Sequence, residues 1–507
     1  MFLGYLKSYI YKSVAQLRVN MKIAKTLSLL AMSAMMANVF VACSDDDDDE
    51  KTPSTEAMNP DAVTVQKPTA DQVLEYDEQV KKLQVAAEEL MKALPSSDFQ
   101  QLADLGNYFD ETYGDYDTDE MDNWYDDIIS AAKKQVGKPV VESDTSHYEY
   151  EWDGNIYEDT DIYNTITTDY TSLLLASSFK SSFTASKDKW TRKDADHFEV
   201  NFTDEDGKKC VLSVVPSGKE TKLHLGVSED YDWEHESFFS EDGKSYTGIY
   251  TETSDNIDYT IGVPEKLTAT LTQDGKTLVS TTVNIDLSGL KDSEFSFSSS
   301  SVGVTSVTSF YNGLKVDVSR ASYEAEKKIE TAYVISKDSK ALVSGSFRAL
   351  VGNAPKYNFS DIDEKAEEDD IDAMNLDSVV VKVDILGLVQ LQGKVKDGVQ
   401  LKNYLEEADD NYKDKDAFQS ALRKANKLME IHLMYDGTPT AQAKVTLEPF
   451  AEESYWDGVY WDYDVTLNFY DEDQTTESFG DFFSEVNFKK TTKLFEDLMD
   501  DYEDLVD

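Results

Sequence analysis

The strongest constraint on folding in this chain is a period of two. Leu278, Ser280, Thr282 and Asn284 alternate with Val279, Thr281, Val283 and Ile285, so an extended backbone there has one wet face and one dry face. The run is reached from residues 267–272 through Gln273-Asp274-Gly275-Lys276, a sequence suited to a tight hairpin turn. Units of the same pattern recur at 331–349 around Lys337-Asp338-Ser339-Lys340 and at 431–447 around Asp436-Gly437-Thr438-Pro439. Upstream, residues 198–202, 208–215 and 221–227 also alternate, with turns expected at Asp206-Gly207 and at Pro216-Ser217-Gly218. Strands are expected from about Tyr148 onward. Hairpin arms of this length imply a broad antiparallel sheet that must curl or be covered, with a half-barrel among the forms open to it.

Helical periodicity frames that sheet. Thr69 and Gln72 have capping-box spacing, and Val73, Tyr76, Val80, Leu83, Ala87, Leu90 and Leu94 recur three and four apart until Pro95. Phe99, Leu102, Leu105 and Phe109 suggest a short second helix. Met121, Trp124, Tyr125, Ile128, Ile129, Ala132 and Val136 suggest a third, stopped by Gly137. The acidic stretch 361–373 is a short helix or loop, 401–407 and 416–429 have helix-forming composition with Phe418, Leu422, Ala425 and Leu428 on one stripe, and Leu494, Phe495, Leu498, Met499, Tyr502 and Leu505 mark a C-terminal amphipathic helix. The expected class is α+β: an N-terminal helical layer over 69–140, an antiparallel module over 141–300, and a second β module with helical insertions over 301–507. A boundary near 300 rests on the serine-rich stretch 293–309; a single continuous sheet is the alternative.

Ahead of the body, Lys22 and Lys25 precede a mostly apolar segment, 26–42, too short for a spanning helix and placed as a secretory signal. Met21 is a second candidate start. Phe40-Val41-Ala42-Cys43 resembles the bacterial lipobox, in which a lipid is attached to the cysteine thiol, here Cys43. Ser44, Asp45, Asp46, Asp47, Asp48 and Asp49 follow directly, and this run resembles the acidic export signal of Bacteroidota surface lipoproteins. The resemblance covers only these segments and implies a covalent lipid on Cys43, no other cofactor, and an outer-membrane address, with the cell surface first and the periplasmic leaflet second. Residues 43–68 read as an acidic, flexible tether.

Charge narrows the partners. The net charge is −52, and removing 1–42, with five basic residues and no acids, takes it to −57. A polyanion of that strength is repelled by phosphate backbones, so nucleic acid is not an expected partner. Once Cys43 carries lipid, Cys210 is the remaining thiol; its place in Lys209-Cys210-Val211-Leu212 suits a buried strand position.

Motifs for chemistry are sparse. His147, His197, His224, His235 and His432 lack metal-ligand spacing. Asp115, Asp117 and Asp119, with Asn123 and Asp126, count out a calcium loop, but Glu120 stands where the turn needs glycine. Ser177-Ser178-Phe179-Lys180 has the Ser-x-x-Lys spacing without its companion motifs.

What remains is aromatic and acidic. Tyr148-Glu149-Tyr150-Glu151-Trp152 and Tyr231-Asp232-Trp233-Glu234 place rings and carboxylates on opposite faces of an extended strand. Between Tyr455 and Tyr463, Tyr455, Trp456, Tyr460 and Trp461 are candidates for a ligand surface, since sugar rings stack on aromatic faces while carboxylates accept from hydroxyls. The leading expectation is a non-catalytic surface binding protein for a glycan, lipid or macromolecule. A structural or assembly component of an envelope or fimbrial complex is the alternative, and a carboxylate-dependent hydrolase stands third.

Overall fold

The computed structural model describes residues 65–114, 119–187, 189–296, 298–353, 375–454, 458–482 and 485–503. The signal segment 1–42, Cys43, the acidic run after it, the tether as far as residue 64, Asp115, Asp117, the 361–373 stretch, Tyr455 and Trp456 lie outside them; the last part of the expected tether is not free, since Gln66 bridges to Thr440. Helix α1 (Tyr76–Ala93) opens the body, followed by α2 (Gln100–Phe109) and α3 (Asp119–Ala132). The strands come next: β1 (Lys133–Trp152), β2 (Asn155–Leu175), β3 (Ser181–Thr184), β4 (Thr191–Asp194), β5 (Phe198–Thr203), β6 (Lys209–Phe239), β7 (Ser245–Gln273) and β8 (Lys276–Asp286). A regular meander continues through β9 (Ser301–Phe310), β10 (Leu314–Glu324), β11 (Lys328–Lys337), β12 (Lys340–Asn353), β13 (Asn375–Ile385) and β14 (Val389–Val395). Helices α4 (Gly398–Asp410) and α5 (Lys415–Leu428) then precede β15 (Met429–Tyr435), β16 (Ala441–Ser454), β17 (Gly458–Phe469) and β18 (Thr476–Ser478). The short α6 (Phe479–Phe482) and α7 (Glu485–Glu503) end the described chain.

The class is α+β, as the sequence predicts, and the sheet is not closed. From β7 to β18 each strand pairs antiparallel with the next, and the ladder crosses residue 300 through β8, β9 and β10 without a break. The hairpin turns at Asp274-Gly275 and Asp338-Ser339 have positive φ at both residues, the left-handed pair that a two-residue hairpin needs, and Asp436-Gly437 has the same pair at the start of a five-residue connection.

Two groups of helices cover separate apolar patches. In the first, Val80 and Ala86 of α1 and Phe418, Ala421, Leu422 and Ala425 of α5 pack with Leu433, Val445, Leu467 and Phe469 of the terminal strands. The second joins Leu105 and Phe109 of α2 and Trp124 of α3 to Phe183, Val200, Phe202, Leu212 and Leu271. Asp98, between α1 and α2, ties the helices to the sheet: its carboxylate pairs with Lys337 and its carbonyl accepts from Tyr311 and Asn312.

Several local expectations give way to tertiary pairing. Strands begin at Lys133 rather than near Tyr148, because β1 pairs with β2 along its whole length; Val136 is therefore in a strand and Gly137 sits in a bulge at φ 75°. Pro216-Ser217-Gly218 is not a turn. β6 runs straight through it, slipping register between Ser217 and Glu220, with Gly218 at φ 80°. The Thr69–Gln72 contacts form, but as an isolated turn. Helix α1 starts only at Tyr76, because Gln442 accepts from the Leu74 amide and donates to the Gln72 carbonyl. Leu278, counted on the wet side, is fully buried, since the ladder slips between Leu271 and Thr272 and turns it into the core.

Candidate ligand-binding face

Above the second apolar patch, four strands continue beyond the helices as a ribbon. Their order is β1-β2-β7-β6: the outer pairs are antiparallel, and β2 runs parallel to β7 from Glu158 with Ser245 to Leu175 with Gly262. At about 3.3 Å per residue this is roughly 55 Å of sheet. Exposed apolar side chains occur on both sides: Tyr148 and Tyr163 on one, Val141, Ile156 and Phe238 on the other. Such a single layer is held by its ladders and by cross-strand side-chain pairs rather than by a core.

Register decides what each face carries. Tyr150 and Tyr157 are directly opposed and stack at 5.5 Å between centroids. Two rows further, Tyr148, Asp159, Tyr246 and Phe239 lie side by side across the four strands. After another two come Ser146, Asp161, Gly248 and Ser237, and then Asp144, Tyr163, Tyr250 and His235. In that last row Tyr163 stacks on Tyr250 at 4.9 Å, and Tyr250 on His235 at 4.3 Å. Trp233 and Tyr231 continue the face along β6, 54% and 68% exposed, and neither packs against another described ring. The opposite face carries Glu149, Glu151, Glu158, Asp230, Asp232, Glu234 and Glu236. Within 148–152 and 231–234 the expected separation of rings from charges thus holds, and these two sequence-distant ring stretches share one surface.

The stacking also corrects the geometry of capture. The faces of Tyr250 are covered by its neighbours, so the free aromatic faces are those at the ends of the stack and those of Tyr148, Tyr231 and Trp233. Carboxylates lie between the rings. Asp161 sits above Gly248: a Cβ there would stand 2.7 Å from Asp161 Oδ1, 3.1 Å from Tyr250 and 3.3 Å from Tyr246. Oδ1 of Asp161 and Oδ1 of Asp159 are shielded from solvent without a hydrogen-bond partner among the described residues. Desolvation, then the charge of Asp161, raises the phenol pKa of both Tyr163 and Tyr250, so these rings stay protonated.

At the foot of the same face, ten residues below Tyr163, lies a cleft of 670 Å³ lined by Lys134, Leu173, Lys222, His224, Asp258 and Glu294, among others. His224 Nε2 is 2.7 Å from Asp258, and Nδ1 is 3.6 Å from Glu294. Thr171, Ser172, Thr260 and Ser293 bring hydroxyls to the same cleft.

The other sequence candidates are dispersed. Tyr460 hydrogen-bonds Glu452, whereas Trp461, on the alternate face of β17, packs at the edge of the first apolar patch with Lys415 4.8 Å above its ring. Asp119, Asn123 and Asp126 fall on helix α3 rather than in an ion-wrapping loop, and no group of three potential metal ligands occurs among the described residues. The Ser177 hydroxyl donates to Glu220, not to Lys180. Cys210 is buried, and its thiol is pushed up to about 11, by burial first and then by Asp204.

Tyr163, Tyr246, Tyr250, Asp159 and Asp161 were not among the sequence candidates. They do keep a period of two along β2 and β7, but only the parallel pairing of strands some 70 residues apart makes them neighbours. Set beside family models, curated proteins and solved structures, the chain matches none, so its function has to be read from this face.

Proposed function

We propose that this chain is a non-catalytic binding protein, held by a lipid on Cys43 at the outer membrane with its body toward the cell exterior, and that it captures an extended glycan along the ring-bearing face of the ribbon. The observation that carries the reading is the alignment of Tyr148, Tyr163, Tyr250, His235, Trp233 and Tyr231 on one solvent-facing side of a sheet with no covering layer among the described residues. Open aromatic faces offer flat apolar area to pyranose rings, while Asp159 and Asp161 offer acceptors to hydroxyls. A long, shallow surface favours a polymer over a single sugar.

Isothermal titration of the full chain against oligosaccharides tests this reading. Trp233→Ala and Tyr231→Ala together should weaken binding at least tenfold and leave the thermal midpoint within a degree or two. Absence of binding to any oligosaccharide would remove the glycan reading. For the address, Cys43→Ser should release the chain from membranes, and surface biotinylation of intact cells should label the unmutated protein.

One observation favours the assembly reading. Over the ribbon, β1 and the upper half of β6 each pair on one side only, leaving two long edges where another strand could add. Filaments or ladders of oligomers in sizing experiments would move the ranking toward it.

A further inference from the structure

Resting on the glycan reading, we infer that the ligand bears protonated amines: the ribbon's ring face is built for an amino-sugar polymer rather than a neutral one. Charge is the first argument. Residues 138–166 and 228–255, which form the exposed part of the ribbon, contain 17 acidic residues and two lysines, and of the acids Glu142, Asp144, Asp159, Asp161, Glu229 and Glu252 share the ring-bearing face. Both lysines lie away from the ring rows: Lys138 in the β1 bulge, and Lys244 at the far tip, where it donates to Asn155. A surface of one sign concentrates ligands of the other and steers them along its length.

The second argument is local. Asp159 and Asp161 stand on adjacent rows of β2 with their inner oxygens turned away from water and unmatched by any described donor. Rings flank Asp161 on both sides, Tyr246 and Tyr250, and glycine at 248 leaves the room in which its carboxylate lies. A hydroxyl brings a donor alone to such a carboxylate, whereas an ammonium brings a donor and a full positive charge.

The third argument separates sugar from peptide. A basic peptide would add most firmly as a strand on an open edge, away from the ring rows, and one amide on each edge is already taken: Asp144 accepts from Thr145 at 2.8 Å on β1, and Asp232 accepts from Trp233 at 2.8 Å on β6. Capture through side chains on the face suits a ligand without a strand-forming backbone.

Calorimetry of the full chain with glucosamine oligomers, their fully N-acetylated counterparts, cello-oligomers of equal length and oligolysine decides the matter. Glucosamine oligomers should bind, N-acetylation should weaken binding at least tenfold, and raising salt from 50 to 500 mM should weaken it further. Asp161→Asn and Asp159→Asn should each cost about tenfold for the amine ligand alone, with an unchanged thermal midpoint. Equal affinity for acetylated and free oligomers would overturn the amine inference and leave the glycan reading intact. Failure of every oligosaccharide would overturn both, and binding of oligolysine alone would reassign the face to basic peptides.

Discussion

Glu330 is the most deeply buried acidic side chain among the described residues. It is 3% exposed on β11, with Lys328 at 2.8 Å, Ser322 at 3.4 Å, Arg320 at 3.5 Å and Arg348 bonded through Nε. Burial pushes its pKa up, but bonds from Lys328 and Arg348 outweigh burial and hold it below the usual 4.5. Removing one member of a buried ion cluster leaves the others uncompensated, so Glu330→Gln should cost about 3 kcal/mol at neutral pH. Because the folded pKa is depressed, the carboxylate's contribution is complete above pH 4.5 and is lost as pH falls through the folded value. Urea unfolding of both proteins from pH 7 to pH 3 should show the gap constant at first and then closing below pH 4.5. A gap that persists undiminished at pH 3 would mean that packing, not charge, is lost in the variant.

The ribbon is the element whose behaviour should differ from the rest. Its strands are longer than those of the meander, yet between about Val140 and Ile166 no described helix lies against either face. Local opening there exposes little apolar area that was ever hidden, so it should cost less than opening the β14–β17 region, where Leu433, Val445 and Leu467 lie under α5. Hydrogen exchange read by mass spectrometry should show peptides within 140–166 and 228–255 exchanging at least tenfold faster than those within 429–447. Equal protection would mean that the ladder alone stabilises the ribbon as well as a core does. Hairpins at this scale were readable in the sequence, because turn residues such as Asp274-Gly275 and a period of two both depend on neighbours along the chain. The ribbon was not. Pro216 and Gly218 look like punctuation from local chemistry, and only the 27 paired positions of β6 on β7 carry the strand through them. The same blindness hid the site, since Tyr163 and Tyr250 meet through a parallel register that no local pattern encodes.

At the scale of the whole molecule, charge is the dominant unbalanced quantity. The described ion pairs are mostly at the surface, such as Lys490 with Glu88 and Lys493 with Asp497, and pairs of that kind contribute about 0–1 kcal/mol each. With 100 acids against 48 lysines and arginines, most carboxylates have no cation to meet, and folding brings them closer together. That repulsion acts over tens of ångströms and is therefore sensitive to ionic strength: the screening length is about 30 Å at 0.01 M salt and about 3 Å at 1 M. Salt weakens the favourable surface pairs as well, but those are fewer and short in range. The net effect should be stabilising, so the thermal midpoint should rise by several degrees between 10 mM and 500 mM sodium chloride, most steeply below 100 mM. Chloride and fluoride should act alike, because screening does not depend on the anion's identity. A midpoint that stays level or falls with salt would show that local ion pairs such as the Glu330 cluster outweigh the collective repulsion. The acidity would then have to be explained by what the surface meets outside rather than by what the fold tolerates within.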